Sequence, residues 1–193
     1  MDKVVLASSS PRRIELLSQY GIDLITMKAE IEEKILPGES PEEVAMALAF
    51  EKANQIAESI EPNNTVIGAD TLVACEGQIL GKPKDGEEAK HMLRFLKGKE
   101  HSVITGISIV RLKPSVKLID FERTKVRFGN VDDEKLKRYI ETGECMDKAG
   151  AYGIQGLGGA LIEGIYGCYF NVVGLPLHRL DTLLGKYFNI NLL

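Results

Sequence analysis

A chain of 193 residues, 44% hydrophobic and 27% charged, is long enough to bury a sizeable core and has an ordinary globular composition. Its net charge of −4 makes it a poor candidate for non-specific nucleic-acid binding through a broad basic face, although positive charge gathered in one place can still hold a nucleotide. Cys75, Cys145 and Cys168 are odd in number and form no CxxC pair, which argues against a disulfide framework and a zinc site; with no basic-then-apolar opening and no membrane-length apolar run, a cytoplasmic protein is expected.

In chain order, Val4-Val5-Leu6-Ala7 reads as a short buried strand, Ser8-Ser9-Ser10 as a loop, and Pro11-Arg12-Arg13 as the start of a helix. Ser10 is placed to cap that helix, with Pro11 at its first position. Unpaired N–H groups, three hydroxyls and two guanidinium groups then converge on a volume suited to an anion, most naturally a phosphate chain. These ten residues read equally well as a capped surface helix with two solvated arginines. Leu24 to Met27 is a second short strand, followed by an acidic, irregular stretch that includes Glu32 and Glu33. Ser40-Pro41-Glu42-Glu43 is a capping box opening an alanine-rich helix to about Ile60, with Val44, Leu48, Ile56 and Ile60 on its apolar stripe. Lys52 lies near its middle, where a lone lysine is ordinarily solvated.

Val66 to Cys75 is a buried strand carrying one carboxylate, Asp70, which must be paired, metal-bound or neutral because an isolated buried carboxylate is expensive. Glu76-Gly77 turns a hairpin into Gln78-Ile79-Leu80, and Gly81-Lys82-Pro83 follows. The spacing is too short for a P-loop, and Pro83 stands where Ser or Thr is required. Asp85 caps a further helix ending near Gly98. Strands are expected over 102–112 and 117–128, then a helix from Asp132 to Glu141. The glycine-dense stretch from Asp147 to Gly156 lacks GxGxxG spacing and reads as a loop that permits close approach to a ligand. Leu161 to Tyr166 and Cys168 to Val173 read as closing strands, and Pro176 starts a last helix through Leu184. One α/β unit with a mixed sheet is the expected architecture.

His91, His101 and His178 neighbour no nucleophile motif, and neither HExxH nor GxSxG occurs, so each histidine reads as structural. What remains is a set of acids, Glu32, Glu33 and Asp70, against the cations Arg12, Arg13, Lys52 and Lys82. Carboxylate oxygens without histidine or thiolate favour a hard cation such as Mg²⁺ or Mn²⁺, and cations beside such a metal suit a polyphosphate.

Leu6-Ala7-Ser8-Ser9-Ser10-Pro11-Arg12-Arg13, Glu51-Lys52-Ala53, Gly68-Ala69-Asp70-Thr71, Gly81-Lys82-Pro83, Thr105-Gly106, Asp147 to Gly156 and Asn171-Val172-Val173-Gly174-Leu175-Pro176-Leu177 occur in one order with compatible gaps. Together, over nearly the whole chain, they resemble the Maf family of nucleoside triphosphate pyrophosphatases, once described as septum-formation inhibitors. The resemblance implies an inosine-triphosphate-pyrophosphatase-like α/β fold over residues 1–193: a single domain with an elongated mixed sheet and helices forming two lobes around a central cleft. Lys148-Ala149-Gly150-Ala151-Tyr152-Gly153-Ile154-Gln155-Gly156 is similar to the subgroup acting on dTTP and UTP. It implies metal-dependent hydrolysis of these pyrimidine nucleoside triphosphates, and of modified ones, to the monophosphate and pyrophosphate. By position, Asp70 is the implied proton acceptor, with Lys52 and Lys82 beside it. Arg12, Thr71 and Gln155 set base preference; Ser8, Ser10 and Arg13 bind phosphate; Glu33 and Asp70 hold the metal. Cys168 and Phe170 depart from the acidic and small residues usual before the Asn-Val-Val-Gly run. Two other classes stay open: a non-catalytic nucleotide-binding regulator of cell division, and a nucleic-acid binder using the arginine loop, against which the net charge speaks. No membrane partner is expected, and a homodimer is left open.

Overall fold

The structure, a computed structural model, describes residues 3–193. Among the described residues seven strands form one mixed sheet in the order β2 (Leu24–Met27), β1 (Val4–Ala7), β3 (Thr65–Cys75), β5 (Glu100–Arg111), β6 (Val116–Phe128), β7 (Ile162–Tyr166), with β4 (Gln78–Leu80) paired to β3, and the α/β architecture expected from the sequence is found. The chain divides into two compact units: Met1–Asp70, Thr105–Glu122 and Gly174–Leu193 make the first, Thr71–Ile104 and Arg123–Val173 the second.

In the first unit, β1 (Val4–Ala7) runs parallel both to β2 (Leu24–Met27) and to the start of β3 (Thr65–Cys75). Each parallel step needs a crossover, supplied by α1 (Pro11–Ser18) and α2 (Pro41–Ser59). All four β1 residues are buried, as expected of a strand covered on both faces. The capping box that opens α2 is present: Ser40 Oγ accepts the Glu43 N–H at 3.3 Å and Glu43 Oε2 accepts the Ser40 N–H at 2.7 Å. Ile60, expected on the apolar stripe, sits at the C-cap and is only half-buried, because its backbone has already left the helix at ψ 177°. Val5, Ala7, Ala53, Ile56, Ala57, Val66 and Val110 form a core between sheet and helix.

Two glycines let α2 lie directly on the sheet. An ideal Cβ at Gly68 would fall 2.2 Å from the Ala49 carbonyl oxygen and 2.9 Å from the Ala53 methyl. One at Gly106 would fall 2.1 Å from the Ala45 carbonyl oxygen. Both distances are too short for any side chain, so backbone meets backbone at these positions. The unit closes with α6 (Leu177–Phe188), which runs past the expected end at Leu184 because Phe188 is buried and Asn189 adopts the left-handed cap, φ 55°.

In the second unit, Glu76 and Gly77 both have positive φ (48° and 78°), the conformation of a two-residue hairpin turn, and lead into β4 (Gln78–Leu80). Helices α3 (Gly86–Leu96) and α4 (Asp133–Glu141) begin at aspartate caps, Asp85 accepting from the Glu88 N–H at 2.8 Å and Asp132 from the Lys135 N–H at 2.7 Å. Their inner faces pack Leu93, Leu96 and Leu136 with Phe128 and Tyr152. Strands β5 (Glu100–Arg111) and β6 (Val116–Phe128) contribute to both units, and β7 (Ile162–Tyr166) pairs antiparallel with β6.

Residues 168–173 correct the sequence reading. They contain a helical turn, α5 (Tyr169–Val173), rather than a strand. Asn171 is fully buried and its amide donates to the Val103 carbonyl and to Thr124 Oγ1, both at 3.0 Å. The same Thr124 hydroxyl donates to the Cys168 carbonyl and accepts the Cys168 N–H, each at 3.0 Å. A local β preference is overridden by four bonds that demand a tight turn. Tyr169 and Phe170 consequently face outward in an edge-to-face pair.

Candidate active site

Successive side chains of a strand alternate faces, so Asp70 lies on the same side of β3 as Gly68. That is the side on which α2 rests, and the close approach at Gly68 brings Lys52, near the middle of the helix, within reach of Asp70. Lys52 Nζ is 2.5 Å from Asp70 Oδ1 and 2.7 Å from Glu33 Oε1. The side chains of Lys52 and Asp70 are only 14% and 11% exposed, so this pair is held in a water-poor setting; Glu33, at 54%, reaches in from the surface. Burial pushes the Asp70 carboxyl above its ordinary pKa, against the pull of Lys52 and Arg13, and Glu33 adds a little repulsion. Lys52 thus departs from the solvated state ordinary for a lone helical lysine, and it is a partner of the kind that buried Asp70 requires.

Glu33 comes from an irregular segment, and Gln55 holds that segment down. The Gln55 amide accepts the Glu30 N–H and donates to the Glu30 carbonyl, both at 2.7 Å, imitating a strand partner. Gln55 follows Lys52 by three positions and so shares its face of α2. Sequence reading passed over it, although that spacing was a usable signal. Glu32, grouped with Glu33 from the sequence, instead pairs with Lys34 at 2.8 Å in the open.

Ser8, Ser10, Arg12 and Arg13 occupy the turn from β1 into α1. Ser10 stands at the N-cap, but its side chain makes no capping bond; its own N–H donates to Ser8 Oγ at 3.1 Å. Pro11 has no N–H to satisfy, so less capping is needed here than elsewhere. Arg13 Nε donates to the Gly174 carbonyl at 2.7 Å, and its Nη1 lies 3.5 Å from Ser8 Oγ, the outer edge of a hydrogen bond. Burial lowers the Arg13 pKa, Asp70 and Glu33 pull it up, and Arg12 next to it pushes it down. Arg13 is therefore electrostatically coupled to the Asp70 group. Gly174 was quoted from the sequence only as part of a motif; its carbonyl anchors the arginine.

No group of three or more His, Cys, Asp or Glu side chains among the described residues is arranged as a metal cage. Glu33 and Asp70 nonetheless fit a hard cation of the Mg²⁺ type, which is commonly held through one or two carboxylates plus substrate phosphates and keeps several waters. Both present oxygen donors to one point, now served by the Lys52 ammonium.

Thr71, Lys82 and Gln155 belong to the second unit. Thr71 is half-buried directly after Asp70, and Lys82 is exposed on its Gly-Lys-Pro turn. The Gly81 carbonyl accepts the Gly150 N–H at 3.0 Å, which ties the Lys82 turn to the glycine-dense stretch. Gln155, half-buried, is the N-cap residue of the 3-10 turn Gly156–Leu161, and its side chain does not cap it.

A family model described as Maf-like protein matches residues 3–187. The chain belongs to the Maf family. Among Maf relatives it is 50% identical over 189 residues to a protein of Clostridioides difficile (strain 630) named dTTP/UTP pyrophosphatase, covering 98% of this chain and 97% of that one. A protein of the same name from Alkaliphilus oremlandii (strain OhILAs) is 48% identical over 193 residues, with both chains fully covered. In fold, this Maf-family chain is similar to the Staphylococcus aureus Ham1 protein, with a TM-score of 0.53 and 16% identity over 99% of this chain and 92% of that one.

Proposed function

We propose that this chain hydrolyses dTTP and UTP between the α and β phosphorus atoms, producing the nucleoside monophosphate and pyrophosphate and clearing the nucleotide pool. The observation that carries this reading is the Lys52 ammonium bound at once to buried Asp70 and to Glu33. The substrate class is supported by the printed activity of the two Maf relatives, at 50% and 48% identity over essentially the whole chain. We read the two units as parts of one domain, supported by a single family model running across both.

Water attacks the α phosphorus, a P–O bond forms, the bridging oxygen departs with pyrophosphate, and the proton of the water passes to Asp70. Its raised pKa makes Asp70 a better proton acceptor than an ordinary aspartate. Lys52 occupies Oδ1 and holds the carboxylate in place, so the other oxygen is assigned to the water. Arg13 and Lys52, together with Lys82, balance the charge of the departing pyrophosphate, and Ser8, Ser10 and the N–H groups of their turn take phosphate oxygens. Gln155 reads the base: one amide supplies an acceptor for the N3–H of uracil or thymine and a donor for a ring carbonyl. Arg12 and Thr71 complete this preference. Glu33 and Asp70 would hold a divalent cation of the Mg²⁺ type, which would supply Lewis-acid stabilisation of phosphoryl charge.

Three free thiols, Cys75, Cys145 and Cys168, support a reducing cytoplasmic setting, and no helix of the described residues is long and apolar enough to cross a membrane. The mass of the protein in solution decides the homodimer. The function itself is tested with purified protein, Mg²⁺ and a panel of nucleoside triphosphates followed by ³¹P NMR. Pyrophosphate released from UTP and dTTP, and lost with Asp70→Asn, is the expected result. Tight binding with no turnover would make the chain a nucleotide sensor.

A further inference from the structure

The 3-10 turn that follows Gln155 is capped by a residue from another part of the second unit. An N-cap residue ordinarily spends its own side chain on the exposed N–H groups of the first turn. Here Gln155 holds that position and caps nothing, and Glu144 supplies the acceptors instead. Its Oε2 accepts the Leu157 N–H at 3.0 Å and its Oε1 accepts the Gly158 N–H at 3.1 Å. A carboxylate at the positive end of a helical turn is favoured electrostatically as well as by these bonds.

The carboxylate is itself fixed. Tyr139 donates its hydroxyl to Glu144 Oε1 at 3.3 Å and accepts the Gly153 N–H at 3.3 Å, so it touches the loop on the other side of Gln155. The Lys148 ammonium donates to the Glu144 carbonyl and to Asp147 Oδ1. Burial alone would raise the Glu144 pKa, but the Leu157 and Gly158 N–H groups, with Lys148 and Tyr139, hold it below the usual value. Gly156 is essential to the fit: its φ is +69°, and a Cβ there would lie 2.7 Å from Glu144 Oε2. The loop also carries Ala151 in the left-handed region at φ 60°, a conformation costing a non-glycine residue about 1–2 kcal/mol, so it depends on its anchors.

We propose that Glu144 is a positioning residue for base recognition, capping the turn after Gln155 so that the Gln155 amide stays available to the pyrimidine edge. This rests on the reading of Gln155 as the base-reading residue. Replacing the Glu144 carboxylate with an amide leaves one acceptor oxygen for two N–H groups, and the Gln155 amide is the nearest competing acceptor in the sequence. A base-reading group displaced in this way loses discrimination before it loses turnover.

The test is a double-mutant cycle on the full chain, reading kcat/KM for UTP against GTP. Glu144→Gln is expected to lower that ratio about tenfold or more, mostly through KM for UTP. Gln155→Ala lowers it as well, and the double variant is no worse than Gln155→Ala alone. An unchanged ratio in Glu144→Gln, or a full additional loss in the Gln155→Ala background, overturns the proposal. If Gln155→Ala alone leaves the ratio unchanged, the base-reading assignment fails first and the proposal falls with it; if Gln155→Ala lowers it and Glu144→Gln does not, only the Glu144 role is lost. Should Glu144→Gln fail to fold, Tyr139→Phe takes its place in the same cycle. Hydrogen exchange on the unaltered protein adds a direct reading: the Leu157 and Gly158 amides must be protected.

Discussion

Gly68 and Asp70, two residues apart on one face of β3, divide the work of the site: the first admits α2 to the sheet, and the second receives its lysine. The missing Cβ at Gly68 and the 2.5 Å contact from Lys52 to Asp70 are one packing decision. Gly68→Ala is therefore expected to damage more than the core. The new methyl meets the Ala49 carbonyl at 2.2 Å, so the helix must lift. Overpacking of this kind costs about 1–3 kcal/mol and moves Lys52 off Asp70. A lowered Tm together with a lost kcat is the expected pair. Gly164→Ala, where nothing lies within 4 Å of the added methyl, serves as the control and leaves both unchanged.

Asp70→Asn tests whether the carboxylate is kept for chemistry at the expense of the fold. Turnover falls about 10²–10⁴-fold, the range for a lost general base. Stability moves the other way or not at all, because burial outweighs the partners of this carboxylate. The sign follows from the raised pKa. A carboxyl that binds its proton more tightly when folded favours the native state fully below its ordinary value of 3.8, and that contribution is lost as pH rises through the folded value. The unaltered protein thus declines in stability across this window and Asp70→Asn does not. Thermal melts at a series of pH values check it; identical profiles would mean that Asp70 is not desolvated.

Lys52→Met removes the cation between two acids. Asp70 and Glu33 then lack their shared partner, and the Asp70 pKa rises further. Breaking a buried pair costs about 3–5 kcal/mol when the remaining charge stays ionised, and less if Asp70 takes a proton. The acid limb of the pH profile of kcat/KM moves to higher pH and the plateau drops. A plateau loss with no movement of the limb would confine Lys52 to phosphate binding.

His101 governs a separate response to acid. It is buried, with Nε2 2.6 Å from the Tyr152 hydroxyl and no hydrogen-bond partner for Nδ1 among the described residues. Burial lowers its pKa from 6.5 to about 4, with Glu100 opposing. A group that resists protonation when folded contributes stability in full above 6.5, and loses it as pH falls through about 4. That loss amounts to about 3 kcal/mol by linkage. His101→Gln keeps a polar partner for Tyr152 and removes the titration, so urea midpoints measured between pH 7 and pH 4 flatten.

The sequence read alone reached far because its signals were local. Ser40 and Glu43, Asp85, Asp132 and the Glu76-Gly77 turn are each satisfied by atoms a few residues away, so elements and boundaries followed from them. It failed at 168–173 for the opposite reason. The turn there is imposed by Val103 and Thr124, which are distant in the chain. The placement of Ser10 was right and its capping bond was not, since Pro11 leaves less to cap.

Residue identity and order by themselves determined the α/β class, the family, and a short set of acids and cations from which a phosphate site is built. Only the tertiary structure decided that Glu33 and Asp70 share the Lys52 ammonium, that Gln55 holds the segment carrying Glu33, and that Glu144 caps the turn after Gln155. The reason is physical. Periodicity and caps act between neighbours in the chain, whereas each of these choices depends on a helix, a glycine gap or a buried turn bringing together groups that are remote in sequence.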